Sequence, residues 1–169
     1  VASALSLSTI TVAATPLSQD PAGVAAPLST LGSRDIERTL GATLSTTLSR
    51  EPGIAVRSQG PAAQMPMIRG LTGDRIVVMH DGQRTGDLAA SAPDHAVTVD
   101  PLTAREIEIV RGPAALLFGS SALGGVVNVV SEDIPRMVPA QRITSIAMQG
   151  QTAAQGVGSL FEIRQPLGD

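Results

Sequence analysis

The glycine pair Gly124-Gly125, followed by Val126-Val127-Asn128-Val129-Val130, constrains this chain more than any other stretch. A run this apolar is not exposed on both faces, so it reads as a strand buried in a sheet. Glycines at its entrance mark a place where positive φ or a close backbone approach is required. Upstream, Glu106 to Arg111 alternates charged and apolar residues, the period of a strand with one buried face. Gly112-Pro113 stops that strand, and Pro113 suits the first position of a short helix carrying Ala114, Ala115, Leu116 and Leu117. Gly119 then opens the corner that Gly124 and Gly125 close. From Arg105 to Ser131 the chain reads strand, one-turn helix, glycine corner, buried strand.

A length of 169 residues suits one domain with a core of its own. Hydrophobic residues make up 43% of the chain, yet only two are Phe and none is Trp or Tyr, so the core is built from Val, Ile, Leu, Ala and Met. Lipid-facing barrels carry aromatic girdles at both interfaces, so the chain does not contain a complete one. Formal net charge is −3, and all 12 basic residues are Arg, with no basic run. A nucleic-acid partner has no electrostatic footprint here. Absence of cysteine fits an oxidising compartment handled without disulfides and a cytosolic one equally well. No apolar stretch reaches the length of a membrane-spanning helix. Val1 is not a start Met and no basic segment precedes it, so any secretion signal is expected to have been removed already.

Taken in order, Val1 to Leu31 is rich in Ser, Thr, Ala and Pro and reads as an extended, largely disordered leader. Within it, Ser8 to Ala14 combines β-propensity with small residues before Pro16. That composition suits a sticky linker, or a segment that adds as a strand to a partner's sheet edge. Ser33 is placed to cap a short helix with Ile36 and Leu40 on its buried side. A second helix is expected over residues 42–50, with Leu44 and Leu48 spaced by four. Ile54 to Ser58, Met65 to Arg69 and Arg75 to Met79 read as strands, and Asp81-Gly82 as a hairpin turn. The pattern breaks from Thr85 to Val99 into a loop long enough to suggest function. After Pro135, residues 142–149 and 157–164 alternate imperfectly, with a glycine-containing turn between them.

Arg111-Gly112-Pro113 through Phe118-Gly119, then Ala122 to Val129, resembles the most diagnostic signature of the plug domain of TonB-dependent outer-membrane receptors. Pro52-Gly53-Ile54, Ile68-Arg69-Gly70 and Asp81-Gly82 fall in that family's order and rough spacing, so the resemblance covers about Ser33 to Pro135. It implies an α+β plug with a small mixed four-stranded sheet, near Ile54, Ile76, Ile107 and Val127, and short helices packed on it. The implied division is a leader over 1–31, a plug over 32–136, and the first one or two strands of an incomplete transmembrane β-barrel over 137–169. A closed barrel needs at least about eight strands, so the resemblance implies a receptor cut short or split. It also implies ligand-gated, energy-coupled uptake of a scarce nutrient at the outer membrane of a Gram-negative bacterium, with no enzyme activity. Thr9, Ile10, Thr11, Val12 and Ala13 resemble the TonB box, whose partner is the TonB C-terminal domain, and with that segment so near Val1 no N-terminal signalling domain is expected before it. Arg69 and Arg111 match positions that lock the plug to glutamates of its own or a separate barrel, a task suited to bidentate Arg. Without those glutamates the two guanidinium groups are expected to be solvated or to borrow Glu106 or Glu108. Gly70, Gly112, Gly119, Gly124 and Gly125 are read as structural glycines.

Ser91-Ala92-Pro93-Asp94-His95 with Val99-Asp100-Pro101 is similar to the zinc-uptake branch of these receptors. The resemblance implies that Asp94 and His95 help hold zinc, the transported ligand rather than a cofactor, with further ligands from the barrel. Carboxylate plus neutral imidazole is half of a tetrahedral zinc site. Asp87 and Ser91 are read as substrate-loop residues and His80 as structural; another metal, haem or a siderophore remains the alternative cargo. Gly119 to Gly124 has the outline of a phosphate-binding loop but lacks the Lys that must follow the second glycine. Ser120 and Ser121 lack a hydrolase nucleophile's strand-elbow setting. Two His and no Cys leave little for a zinc hydrolase. The competing class is a free-standing or split plug-like binding module without transport of its own.

Overall fold

The computed structural model describes residues 28–131, 139–152 and 155–166. The Ser8–Ala14 segment, with Thr9, Ile10, Thr11, Val12 and Ala13, therefore lies outside the described residues. Nine strands and two short α-helices occur among them: β1 (Leu28–Gly32), α1 (Ser33–Thr39), α2 (Leu44–Leu48), β2 (Ile54–Ser58), β3 (Gln64–Ile68), β4 (Ile76–His80), β5 (Gln83–Arg84), β6 (Ala104–Val110), β7 (Gly125–Ser131), β8 (Ile143–Gln151) and β9 (Gly156–Arg164). Five strands form a mixed sheet in the order β1-β6-β7-β4-β5, in which only β4 and β7 run parallel.

The valine run is β7, at the centre of that sheet, and Gly125 to Val130 are all buried. Val127 and Val129 point to one face, with Ile107, Ile109 and Ile76, beneath Ile36, Leu44, Leu48 and Ile54. Val126 points to the other, with Val77, Met79 and Val110, beneath Ala115 and Ala122. Both faces are covered, which is why the strand carries no polar alternation. Gly124 and Gly125 are glycines for lack of space. A Cβ on Gly125 would lie 2.8 Å from Val110 O, and one on Gly124 would lie 3.0 Å from Ile76 Cγ1 and 3.1 Å from Arg75 O.

Several expectations change. The sheet has five strands rather than four, and the strand at Ile54 is not among them: β2 pairs with β3 in a separate hairpin. Leu28 to Leu31 belong not to the leader but to β1, an edge strand in register with β6, because Leu31 buries its side chain against the core. Ser33 does not cap α1. Its hydroxyl donates to Arg105 O at 2.9 Å, fastening the helix start to β6, and Gly32 takes the cap position without a side-chain bond. The second helix is shorter than 42–50 because Thr43 sits in extended geometry and forms a reciprocal capping box with Thr46. Pro113–Phe118 is a 3-10 turn entered through Gly112 at φ 80°.

The charged face of β6 is not at the surface: Glu108 is fully buried, opposite Asn128. Strands β8 and β9 pair antiparallel, in register from Ile143–Arg164 to Gln151–Gly156. One face of the pair exposes Ile146, Met148, Val157 and Phe161.

Replacing Gly125 with Ala is expected to destabilise the chain by about 2 kcal/mol, through overpacking at Val110 O and strain at φ 152°. The urea midpoint measures it.

Candidate functional site: the loop over the sheet edge and its anchoring turn

Strand β4 ends in Asp81-Gly82, with φ of 50° and 80°, the two positive values of a type I′ turn. In a two-residue hairpin the turn N–H groups point away from the hairpin and need other acceptors. Both find them on β7. Asp81 N–H donates to Val129 O at 2.8 Å, and Gly82 N–H donates to Asn128 Oδ1 at 2.9 Å. The Asn128 amide donates in turn to Glu108 Oε2 at 2.8 Å. The Asp81 carboxylate accepts from Ser131 N–H at 2.8 Å and Ser131 Oγ at 2.7 Å. Sequence reasoning named Asp81-Gly82 and Asn128 only as pieces of separate motifs. The missed signal was a polar side chain in the middle of an apolar strand, which has to be hydrogen-bonded where it lies.

From this turn the chain rises into the 85–99 loop. Arg84 Nη2 donates to Phe118 O at 2.7 Å, capping the last turn of Pro113–Phe118 from another part of the chain. Gly119, at φ 107°, leaves room for it. Asp87, read as a substrate-loop residue, closes the loop: Oδ2 accepts from Thr85 Oγ1 at 2.6 Å, and Oδ1 accepts from the Thr98 hydroxyl. Ser91 donates to Leu88 O at 3.3 Å and finishes a 3-10 turn over Leu88–Ala90.

Asp94 and His95 lie beyond that turn, on the exposed crest of the loop. His95 Nδ1 and Asp94 Oδ1 are 3.0 Å apart, with side-chain exposures of 48% and 77%. The hydrogen bond to His95 holds the Asp94 carboxyl below its ordinary pKa. Together they expose a carboxylate and an imidazole Nε2, two groups chemically able to ligate a cation. Among the described residues no group of three His, Cys, Asp or Glu is placed to hold a metal. His80 lies at the end of β4, its Nε2 3.7 Å from Asp81 Oδ2.

Arg69-Gly70 forms a second tight turn, at φ 53° and 78°, with an exposed Arg69 side chain. Arg111 is half-buried, and Nη1 donates to Ser29 Oγ of β1 at 2.8 Å. Its Nε and Nη2 are buried without a hydrogen-bond partner among the described residues. Neither guanidinium borrows Glu106 or Glu108. Glu106 lies 3.8 Å from Arg105, and Glu108 receives Asn128, because both acids project from the opposite side of β6.

The sequence model of the family described as TonB-dependent Receptor Plug Domain matches residues 20–126. The chain belongs to that family. It is 32% identical over 155 residues to the Vitamin B12 transporter BtuB of Vibrio cholerae serotype O1, covering 90% of this chain and 23% of the relative. The chain thus spans less than a quarter of the curated relatives it matches. Solved structures share the plug fold. A siderophore receptor, PirA from Acinetobacter baumannii, matches with TM-score 0.61 and 21% identity over 83% of this chain and 22% of that one. The ferric enterobactin receptor PfeA from Pseudomonas aeruginosa matches with TM-score 0.64 and 22% identity over 86% and 23%. FpvAI in its complex with pyocin S2 reaches TM-score 0.70 at 15% identity over 94% and 20%. None of these three names concerns zinc.

A lowered Asp94 pKa means the Asp94–His95 pair is intact above the ordinary aspartate range and is lost as pH falls through the lowered value. Carboxyl-carbon NMR titration is expected to place Asp94 below 3.8, and His95→Ala is expected to return it toward that value.

Proposed function

We propose that this chain is the plug of a TonB-coupled outer-membrane transporter, and that its 85–99 loop meets the ligand. The observation that carries the reading is the family match over residues 20–126 on a chain with the plug fold. The exposed apolar face of β8–β9, with Ile146, Met148, Val157 and Phe161, suits lipid-facing strands at the start of a barrel. Relatives named as a vitamin B12 transporter and siderophore receptors support uptake of a scarce nutrient. Binding and gating carry this function, and no bond is made or broken.

Zinc is the cargo we favour, on the strength of the Asp94–His95 pair. A carboxylate hydrogen-bonded to Nδ1 fixes the tautomer that leaves Nε2 as an acceptor for a metal. The remaining ligands would come from chain outside the described residues. Arg69 and the unspent donors of Arg111 suit carboxylates of a surrounding barrel wall. The segment Thr9 to Ala13 is proposed to pair with the TonB C-terminal domain by strand addition, on the periplasmic side.

Radiolabelled zinc uptake by cells carrying the receptor that contains this chain tests the whole reading. Deleting residues 9–13 is expected to abolish energised uptake while leaving surface zinc binding intact. The double change Asp94→Ala, His95→Ala is expected to weaken binding at least about tenfold. Uptake indifferent to the deletion contradicts TonB coupling, and equal zinc affinity removes Asp94 and His95 as ligands.

A further inference from the structure

A cavity of about 200 Å³ opens between the 85–99 loop and the edge of the sheet. Ile76 of β4 lines it from the sheet, Met65 from the β2–β3 hairpin, and Ala89 and Val97 from the loop. The space is half open to solvent, and a volume of about 150 Å³ is enough to take a group the size of benzene. The walls are not slack. The Asp87 clasp holds the loop at both ends, and on the facing wall a Cβ on Gly73 would fall 3.0 Å from Ala90 O.

The polar groups around the space are unequally occupied. Asp87 already accepts on both oxygens, and the Thr85 hydroxyl is spent on it. Arg84 uses one donor on Phe118 O, and a guanidinium has five, so the rest have no partner among the described residues. The Ser121 hydroxyl likewise has none there, and Asp74, exposed, lines the same space. An anion in this space would be repelled by the Asp74 and Asp87 carboxylates, and a cation by Arg84. A neutral group carries no net charge for either to repel, and its acceptor oxygen can take a hydrogen bond from Arg84 or Ser121.

We propose that this cavity binds a compact, neutral group with an aromatic or branched apolar body and one carbonyl-type oxygen directed to Arg84. The assignment stands independently of zinc and of TonB coupling. A small, mostly apolar pocket with a few convergent polar groups is how proteins hold such ligands.

Methyl NMR of the 169-residue chain, titrated with acetophenone and separately with cumene, tests it. The two probes match in size, and only acetophenone carries the acceptor. Acetophenone is expected to give saturable shifts at the Ile76, Val78 and Val97 methyls with Kd on the order of 1 mM. Cumene is expected to bind the same site at least about threefold more weakly. Filling the space by Val97→Phe, or independently by Ala90→Leu, is expected to abolish the shifts while the core methyls of Ile107 stay in place. Failure of both probes to saturate would mean that protein side chains, not a small molecule, fill the space, and overturns the proposal. So do shifts that survive both filling variants, or equal affinity for the two probes.

Discussion

Asn128 has no exposed surface, and the architecture of this chain meets at its side chain. One end of the amide receives Gly82 N–H from the turn after β4, and the other reaches Glu108 on β6. A buried amide left unbonded would cost about 1–3 kcal/mol, so this residue sits in a valine run only because partners are fixed on both sides. The turn gains as much as the strand. Its two N–H groups have no acceptor within the hairpin, and β7 supplies both. Asp81-Gly82 and the glycine-valine stretch, some forty residues apart in the chain, are one unit in space.

That unit is the base on which the loop stands. Going up from it, Arg84 grips the end of the Pro113–Phe118 turn, Thr85 N–H returns to Val78 O at 3.2 Å, and Asp87 ties the loop shut at Thr98. Asp94 and His95 ride on the crest, free of the sheet. Such an arrangement presents a carboxylate and an imidazole outward on a loop with a fixed foot, the geometry on which the proposed ligand contact rests. The cavity beneath the same loop offers a second place at which a bound group would bear on its position.

Much of the fold was legible because the physics is local. Alternation, glycine corners and leucine spacing led to β6, β7, the helix over Leu44–Leu48 and the type I′ turn, and the motif order led to the family. What stayed hidden is what depends on partners distant in sequence. Leu28 to Leu31 look like linker until β6 is beside them. Glu108 has the spacing of an exposed residue and is buried because it lies opposite Asn128 on a face of the sheet that is itself covered. Ser33 has the composition of a cap, yet the carbonyl of Arg105 lies within its reach. Asp87 was legible as a loop acid, but its role as the clasp required knowing that Thr98 returns to within bonding distance.

Amide hydrogen exchange at Gly82 tests the junction most directly. In the unaltered chain the Gly82 N–H is expected to be protected like the amides of β7, although it belongs to a surface turn. Asn128→Val, which suits the strand but removes the acceptor, is expected to accelerate Gly82 exchange at least about tenfold while Asp81 N–H, bonded to Val129 O, stays protected. A Gly82 amide that exchanges at the rate of an open turn in the unaltered chain, or one indifferent to the substitution, would contradict the account.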